Sequence, residues 1–344
     1  MGLRRFTALC AAAVVLQFAT AASAGEKLYI QSSDEIHIID AHSFRPVATI
    51  PIGEHTDDIV GAPDGRTAYG NAAIANGNPL GISDMGRVFA IDTATNKIIW
   101  SRGLDGHPQH LTVSKDGARL YAPALNSNYI TVYDTTTGRV VDRWFATPGH
   151  HGTELSADGR RLYVGNVFSG KIYVYDTGSG DVVRTYDTGR PVRPFKMDAA
   201  EAKIYYQLSY LQGFEVRDIA TGKVTRVMDF DTPKVDPANP TLSHGIAISP
   251  DGKWLIALGT FGKFARVYSM PDLKLVGQVA VGDDANWIRV RADSKVAFIS
   301  NRGSGTVSAI DISTVKELAR FPAGKHPGRF DIVDVPEPRA GAAQ

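Results

Sequence analysis

Cysteine is all but absent: the 344 residues contain one, Cys10, and it lies in an N-terminal apolar run. A chain that matures beyond that run has no thiol. It can form no disulfide, cannot work as a thiolate enzyme, and must be held by its core. Leu9 stands before Cys10 where lipid attachment needs a small residue, so that use is disfavoured as well. An excess of charge of one sign is also missing. Lys and Arg number 37 against 36 Asp and Glu, for a formal net charge of +1. Without a basic stripe, nucleic acid or an acidic membrane has no general electrostatic hold on the chain. Several catalytic signatures are lacking: no G-x-S-x-G elbow, no phosphate loop and no C-x-x-C-H haem-attachment motif. A haem or quinone would have to be noncovalent or carried by a partner.

Long hydrophobic runs are confined to the first 24 residues. There Arg4 and Arg5 precede a short apolar stretch, and Ala22-Ser23-Ala24 supplies a small-residue cleavage site. This is the pattern of an export signal. The expectation is a signal peptide over 1–24 and a periplasmic or secreted mature chain from Gly25, with no stable membrane insertion after cleavage.

What the chain has in abundance is repetition. An apolar residue, Asp, a polar turn and a further apolar strand recur as "IIDAHSFRPV", "AIDTATNKII", "VYDTTTGRVV", "VYDTGSGDVV", "VRDIATGKVT", "VYSMPDLKLV" and "AIDISTVKEL". The seven copies are spaced by 52, 42, 42, 42, 52 and 41 residues. A second element interleaves with them: "GAPDGRTAYG", "VSKDGARLYA", "LSADGRRLYV", "MDAAEAKIYY", "ISPDGKWLIA" and "VRADSKVAFI". Asp-Gly between alternating strands is a hairpin signal. Four short strands every ~42 residues spell a β-propeller. "RFDIVDV" at the C-terminus and "KLYIQS" near Gly25 lack the turn, as halves of one unit would. The sequence therefore predicts an all-β, seven-bladed β-propeller over 25–335, closed by its two terminal strands in one blade, with a flexible tail over 336–344.

"DTTTGRVVDRW", "DTGSGDVVRTY" and "GTVSAIDISTVKELARFPAGKHPGRF" resemble the YVTN-family β-propeller repeats of exported bacterial proteins. The resemblance covers nearly all of the mature chain, although the naming tetrapeptide is only echoed in "LYVGN" and "AFISN". It implies the fold. Its wider relatives include periplasmic binding proteins, lactonase-like enzymes and quinoprotein dehydrogenase subunits, so it does not choose an activity.

Aligning the repeats on the Asp-Gly turn places "EHTDDIV", "GHPQHLTV", "GHHGTEL", "RPVRPFKM", "LSHGIAI", "DANWIRV" and "KHPGRFDI" at the starts of the seven inner strands. Seven of the nine histidines fall there: His55, His107, His110, His150, His151, His244 and His326. His37 and His42 belong to an outer hairpin. Propeller geometry brings the inner-strand starts to one mouth of the axial channel. The insertions "NAAIANGNPLGISDMGR" and "DTPKVDPANP" are expected beside that mouth.

Three readings of this cluster stay open. In the first, the side chains only bond to carbonyls around a wet channel. The second is a transition-metal site for zinc, copper or iron, since imidazole suits all three. Its preferred ligands are His107, His110, His151 and His244, with His55, His150 and His326 second; only one of His150 and His151 should face the axis. The third is an anionic ligand or substrate held by Arg190, Arg193, Arg329 and Asn286, with Trp287 for stacking. For that reading His151, His244, Asp57 and Asp58 are the candidate acid–base groups. The leading expectation is a periplasmic binding or accessory protein taking a metal ion or small anion at the hub. A metal-dependent or His/Asp lactonase or lyase, or a redox subunit, is the alternative. A scaffold for a periplasmic protein partner is the third.

Overall fold

The computed structural model describes residues 24–78, 82–234 and 240–337. The signal segment expected over 1–24 lies outside these except for Ala24, as does the tail expected over 336–344 except for Pro336 and Glu337. All regular structure among the described residues is β-strand, in seven four-stranded antiparallel sheets. No helix there is long and apolar enough to cross a membrane.

Each sheet is one blade, running from an inner strand at the axis to an outer strand. The inner strands of blades 2 to 7 are His55–Gly61, Thr112–Val113, His150–Leu155, Val192–Met197, Ile246–Ile248 and Ala285–Val290. Blade 1 takes its inner strand, Pro327–Val335, from the C-terminus and its second, Gly25–Ser32, from the other end of the chain. Glu35–Asp40 and Pro46–Pro51 complete it. The seven-bladed fold closed by its terminal strands is thus as the repeats predict.

The two repeated elements are two kinds of turn. Between inner and second strands, Asp116 accepts hydrogen bonds from Ser114 Oγ and the Ala118 N–H, while Gly117 sits at φ +74°. Glu201 and Ser294, where the Gly is missing, take the same left-handed backbone. Between third and outer strands, Asp134 accepts both the N–H and the hydroxyl of Thr137. Asp92 with Thr95, Asp218 with Thr221, and Asp311 with Thr314 repeat the arrangement. Where Asp stands there, its carboxylate replaces two lost ladder partners at once; the turn of blade 6, with Ser269 in that place, does without it.

Side chains alternating out of each sheet pack against the next blade, so the core is divided into seven apolar clusters, one per blade–blade interface. The cluster joining blades 7 and 1 contains Phe298, Phe330 and Trp287, whose Nε1–H donates to the Phe330 carbonyl. The Asp-Gly turns lie on one face of the ring, the lower face. The inner strands begin on the opposite, upper face, where the described flanks of both insertions also emerge.

Phe330 is fully buried in the closing strand, whereas Phe145 is 72% exposed. Phe330→Ala should lower the unfolding free energy by about 3–5 kcal/mol. Phe145→Ala should stay within about 0.5 kcal/mol of the parent. Urea titration of both variants checks this.

Candidate functional site

The inner strands are not regular at their upper ends. In blade 2 the register passes from Thr56 opposite Ala72 to Asp58 opposite Asn71, leaving Asp57 as the extra residue. In blade 7 it passes from Ala285 opposite Asn301 to Trp287 opposite Ser300, leaving Asn286. One extra residue likewise enters between His150 and Thr153, between Val192 and Phe195, and between Pro327 and Phe330. These are β-bulges, which bend a strand and re-aim the side chains at the insertion. Asp57, His151, Arg193, Asn286 and Arg329 lie within the five bulges, and all five line one cavity at the axis.

That upper cavity has a volume of about 560 Å³, and His55, Gln109, His244, Arg302 and His326 also line it. Arg329 donates to the carboxylate and the carbonyl of Asp57, at 2.5 and 3.0 Å. Arg302 forms a two-point pair with Asp284, at 2.9 and 3.3 Å. Arg193 differs: its Nε donates to Ser209 Oγ at 3.0 Å, and no carboxylate among the described residues pairs with it. Burial pulls its guanidinium down to about 10; Tyr210 pulls the other way, and Arg302 and Arg329 add repulsion.

Beneath the cavity the channel narrows to a waist of four rings. His151 lies 4.8 Å from His110 and 5.3 Å from His244, between ring centroids; His110 lies 4.7 Å from Trp287. Burial holds His110, His151 and His244 well below the usual imidazole range, and Arg329 reinforces this in each case. They are neutral at pH 7. His244 Nδ1 faces the Asn286 carbonyl at 2.8 Å, and a carbonyl can only accept. The His244 proton therefore sits on Nδ1 and leaves a lone pair on Nε2, which faces His151 Nε2 at 3.5 Å. A proton on His151 Nε2 fits that contact and leaves His151 Nδ1 basic. That atom is buried without a partner, as are Gln109 Oε1, His110 Nε2 and Arg329 Nε.

Several expected site residues stand elsewhere. His150 turns away from the axis and bonds through Nδ1 to the Ala124 carbonyl at 2.9 Å, so His151 is the inward member of the pair. His107 accepts the Ser83 N–H at 3.2 Å, outside the cavity wall. Arg190 pairs with Glu215 at 3.3 Å, also outside it. Trp287 is 7% exposed and plugs the waist, so it offers no stacking face at the upper mouth. The four preferred metal ligands therefore do not meet: His107 is detached, and His110 lines the lower side of the waist. Among the described residues no three or more His, Cys, Asp or Glu are arranged to hold a metal ion. The residues present do not fit a resident zinc, copper or iron.

Asp58 belongs to the lower side as well. A second cavity there, about 390 Å³, is lined by Asp58, His110, Glu154, Lys196, Trp287 and Arg289 among others. Asp58 is buried and accepts the Leu111 N–H at 2.7 Å. Burial pushes its carboxyl up to about 7, against the pull of Arg329 and the Leu111 N–H. Inner-strand alignment misses Gln31, Leu125 and Val167 of the cavity and, among its charged residues, Arg302. It follows the second strand of blade 7, in "SNRGSG", and only a comparison of the second-to-third connections could have found it.

No family model matches the chain, and no curated protein matches it. Solved structures share its fold. The periplasmic gluconolactonase of Pseudomonas aeruginosa is 16% identical with a TM-score of 0.70, over 90% of this chain and 99% of that one. A putative 6-phosphogluconolactonase of Bacteroides fragilis is 14% identical with a TM-score of 0.67, over 90% and 98%. Hydrazine synthase of Kuenenia stuttgartiensis is 19% identical with a TM-score of 0.65, over 80% and 88%. At these identities the likeness is one of fold.

The Asp58 carboxyl has a measurable consequence. An unfolded Asp loses its proton near pH 3.9, whereas folded Asp58 keeps it to about pH 7. Its contribution to stability is fully present below about pH 4 and is lost as pH rises to about 7. The melting temperature of Asp58→Asn should lack that part of the decline. A pH series of thermal melts on parent and variant reads the difference.

Proposed function

We propose that the protein is an exported hydrolase that opens a sugar-acid lactone in the upper axial cavity. The observation that carries this reading is the set of five inner-strand bulges, which aims His151, Asp57, Asn286, Arg193 and Arg329 into one space. Bulges interrupt ladder hydrogen bonds and re-aim side chains, and these five bring charged and polar groups to one hub. Two of the solved neighbours described as lactonases support the reading at the level of fold. The export-signal pattern and the YVTN-like repeats suit a periplasmic setting.

Lactone opening needs a proton acceptor for water and positive charge for the oxyanion. The His151–His244 pair supplies the first. Kept neutral by burial, it has one basic nitrogen, and the Asn286 carbonyl holds the tautomer. Water adds to the lactone carbonyl carbon as its proton passes to the pair. The guanidinium groups around the cavity stabilise the resulting oxyanion. When the ring C–O bond breaks, the leaving oxygen takes the proton back, giving a hydroxy acid that ionises in water.

Mature protein should hydrolyse aldonolactones faster than buffer does, as read by acid release with a pH indicator. His151→Ala and His244→Ala should each lower kcat by about 10²–10⁴, while His37→Ala, in the outer hairpin, should not. The working form of the pair is neutral, and burial extends that form below pH 6.5. The acid limb of the rate should therefore lie below the ordinary histidine range. No turnover above buffer across a panel of sugar-acid lactones, both neutral ones and ones carrying a further carboxylate or phosphate, would overturn the reading.

A further inference from the structure

The upper cavity carries unequal charge. Three guanidinium groups line it, from Arg193, Arg302 and Arg329, against two carboxylates, from Asp57 and Asp284. Arg302 and Arg329 each hold one of those carboxylates. Arg193 holds only a hydroxyl, and the neighbouring His151 and His244 are neutral and bring no negative charge to it. Arg193 is partly buried; a cation withdrawn from water without a counter-charge is costly to folding, and a chain tolerates it where a ligand completes the pair.

We propose that Arg193 is the binding site for an oxyanion, a carboxylate or phosphate carried by the substrate in addition to the group that reacts. The proposal rests on the reading of this cavity as the reactive site and names the class of molecule it takes: an anionic sugar derivative rather than a neutral one. Guanidinium suits either oxyanion, because its paired N–H groups match two oxygens. Nε is already directed at Ser209, so the terminal nitrogens are the ones available to the ligand. Placing a negative charge there also offsets the repulsion that Arg193 and Arg329 exert on His151 and His244. The proton acceptor thus becomes more basic once the substrate is seated.

Calorimetric titration of the mature protein with glucuronate, whose carboxylate lies away from the carbon that a lactone would present, with its neutral amide glucuronamide, and with inorganic phosphate tests this without any turnover. Glucuronate or phosphate should bind, and glucuronamide should bind at least about tenfold more weakly than glucuronate where glucuronate binds. Arg193→Gln should abolish the preference for the anion, and Arg193→Lys should keep part of it. Thermal melts should place ligand-free Arg193→Gln at or above the parent, because it loses a partly buried charge that no carboxylate holds. Binding of glucuronate alone identifies the oxyanion as carboxylate, and binding of phosphate alone as phosphate; both support the proposal. Glucuronamide binding as tightly as glucuronate, undiminished anion binding by Arg193→Gln, or no anion binding at all would overturn it. An absence of lactone turnover with anion binding intact would remove the hydrolase reading and leave the anion site standing.

Discussion

The pairing of Gly25–Ser32 with Pro327–Val335 is the contact on which everything else depends. A sheet built from ~42-residue repeats would otherwise end in two unpaired apolar faces, each lacking the neighbour that buries it. The antiparallel ladder between the chain ends supplies that neighbour and forces all seven inner strands around one axis. Convergence of residues as distant as Asp57 and Arg329 follows directly, and the bond between those two side chains crosses between the first-threaded blade and the closing one. The hub is assembled only when the ring is shut. Loss of closure and loss of the site are therefore one event.

Desolvation at the axis then sets the chemistry. The same burial that keeps His110, His151 and His244 neutral strengthens every charge–charge term around them. Asp57 and Asp284 offset two of the guanidinium groups, so the remaining field is positive and small in extent. In such a place a neutral imidazole is a usable base, and an oxyanion has somewhere to go. The four-ring waist separates this space from the lower cavity, where Lys196 with Glu154 and Arg289 with Asp331 form paired ions. The upper side combines a guanidinium that no carboxylate holds with the partnerless Nδ1 of His151.

The ring was legible because its signals are local. Asp134 with Thr137, or Asp116 with Gly117, declares a turn from three or four residues, and the recurrence of such turns at a steady spacing counts the blades. The hub was only partly legible. Aligning the turns brings His55, His151, Arg193, His244, His326 and Arg329 to the cavity, because distance from the turn fixes height along the axis. It does not fix direction. Alternation along a strand gives direction only while the ladder is regular, and the bulges sit where the hub residues are. Hence Trp287 points into the waist beside Asn286, and His150 packs under Ala124 beside His151. Arg190 and Glu215 meet across 25 residues of sequence, and nothing in the order of residues announced that pair.

This division explains how one fold hosts unrelated activities. The seven apolar clusters lie between blades and, apart from Trp287 at the waist, away from the upper cavity, and loss of volume there is costly. The bulged positions are different: their side chains project from strand ends into open space and contribute little to the interfaces between blades. Replacing Arg193 or Asn286 alters the charge and shape of the cavity while leaving the ring intact. A putative 6-phosphogluconolactonase and a hydrazine synthase can accordingly share this backbone trace at under one-fifth identity. What distinguishes this chain is the particular set at the hub, two neutral histidines against three guanidinium groups and two carboxylates. That set, rather than the propeller itself, argues for an anionic substrate and for proton transfer.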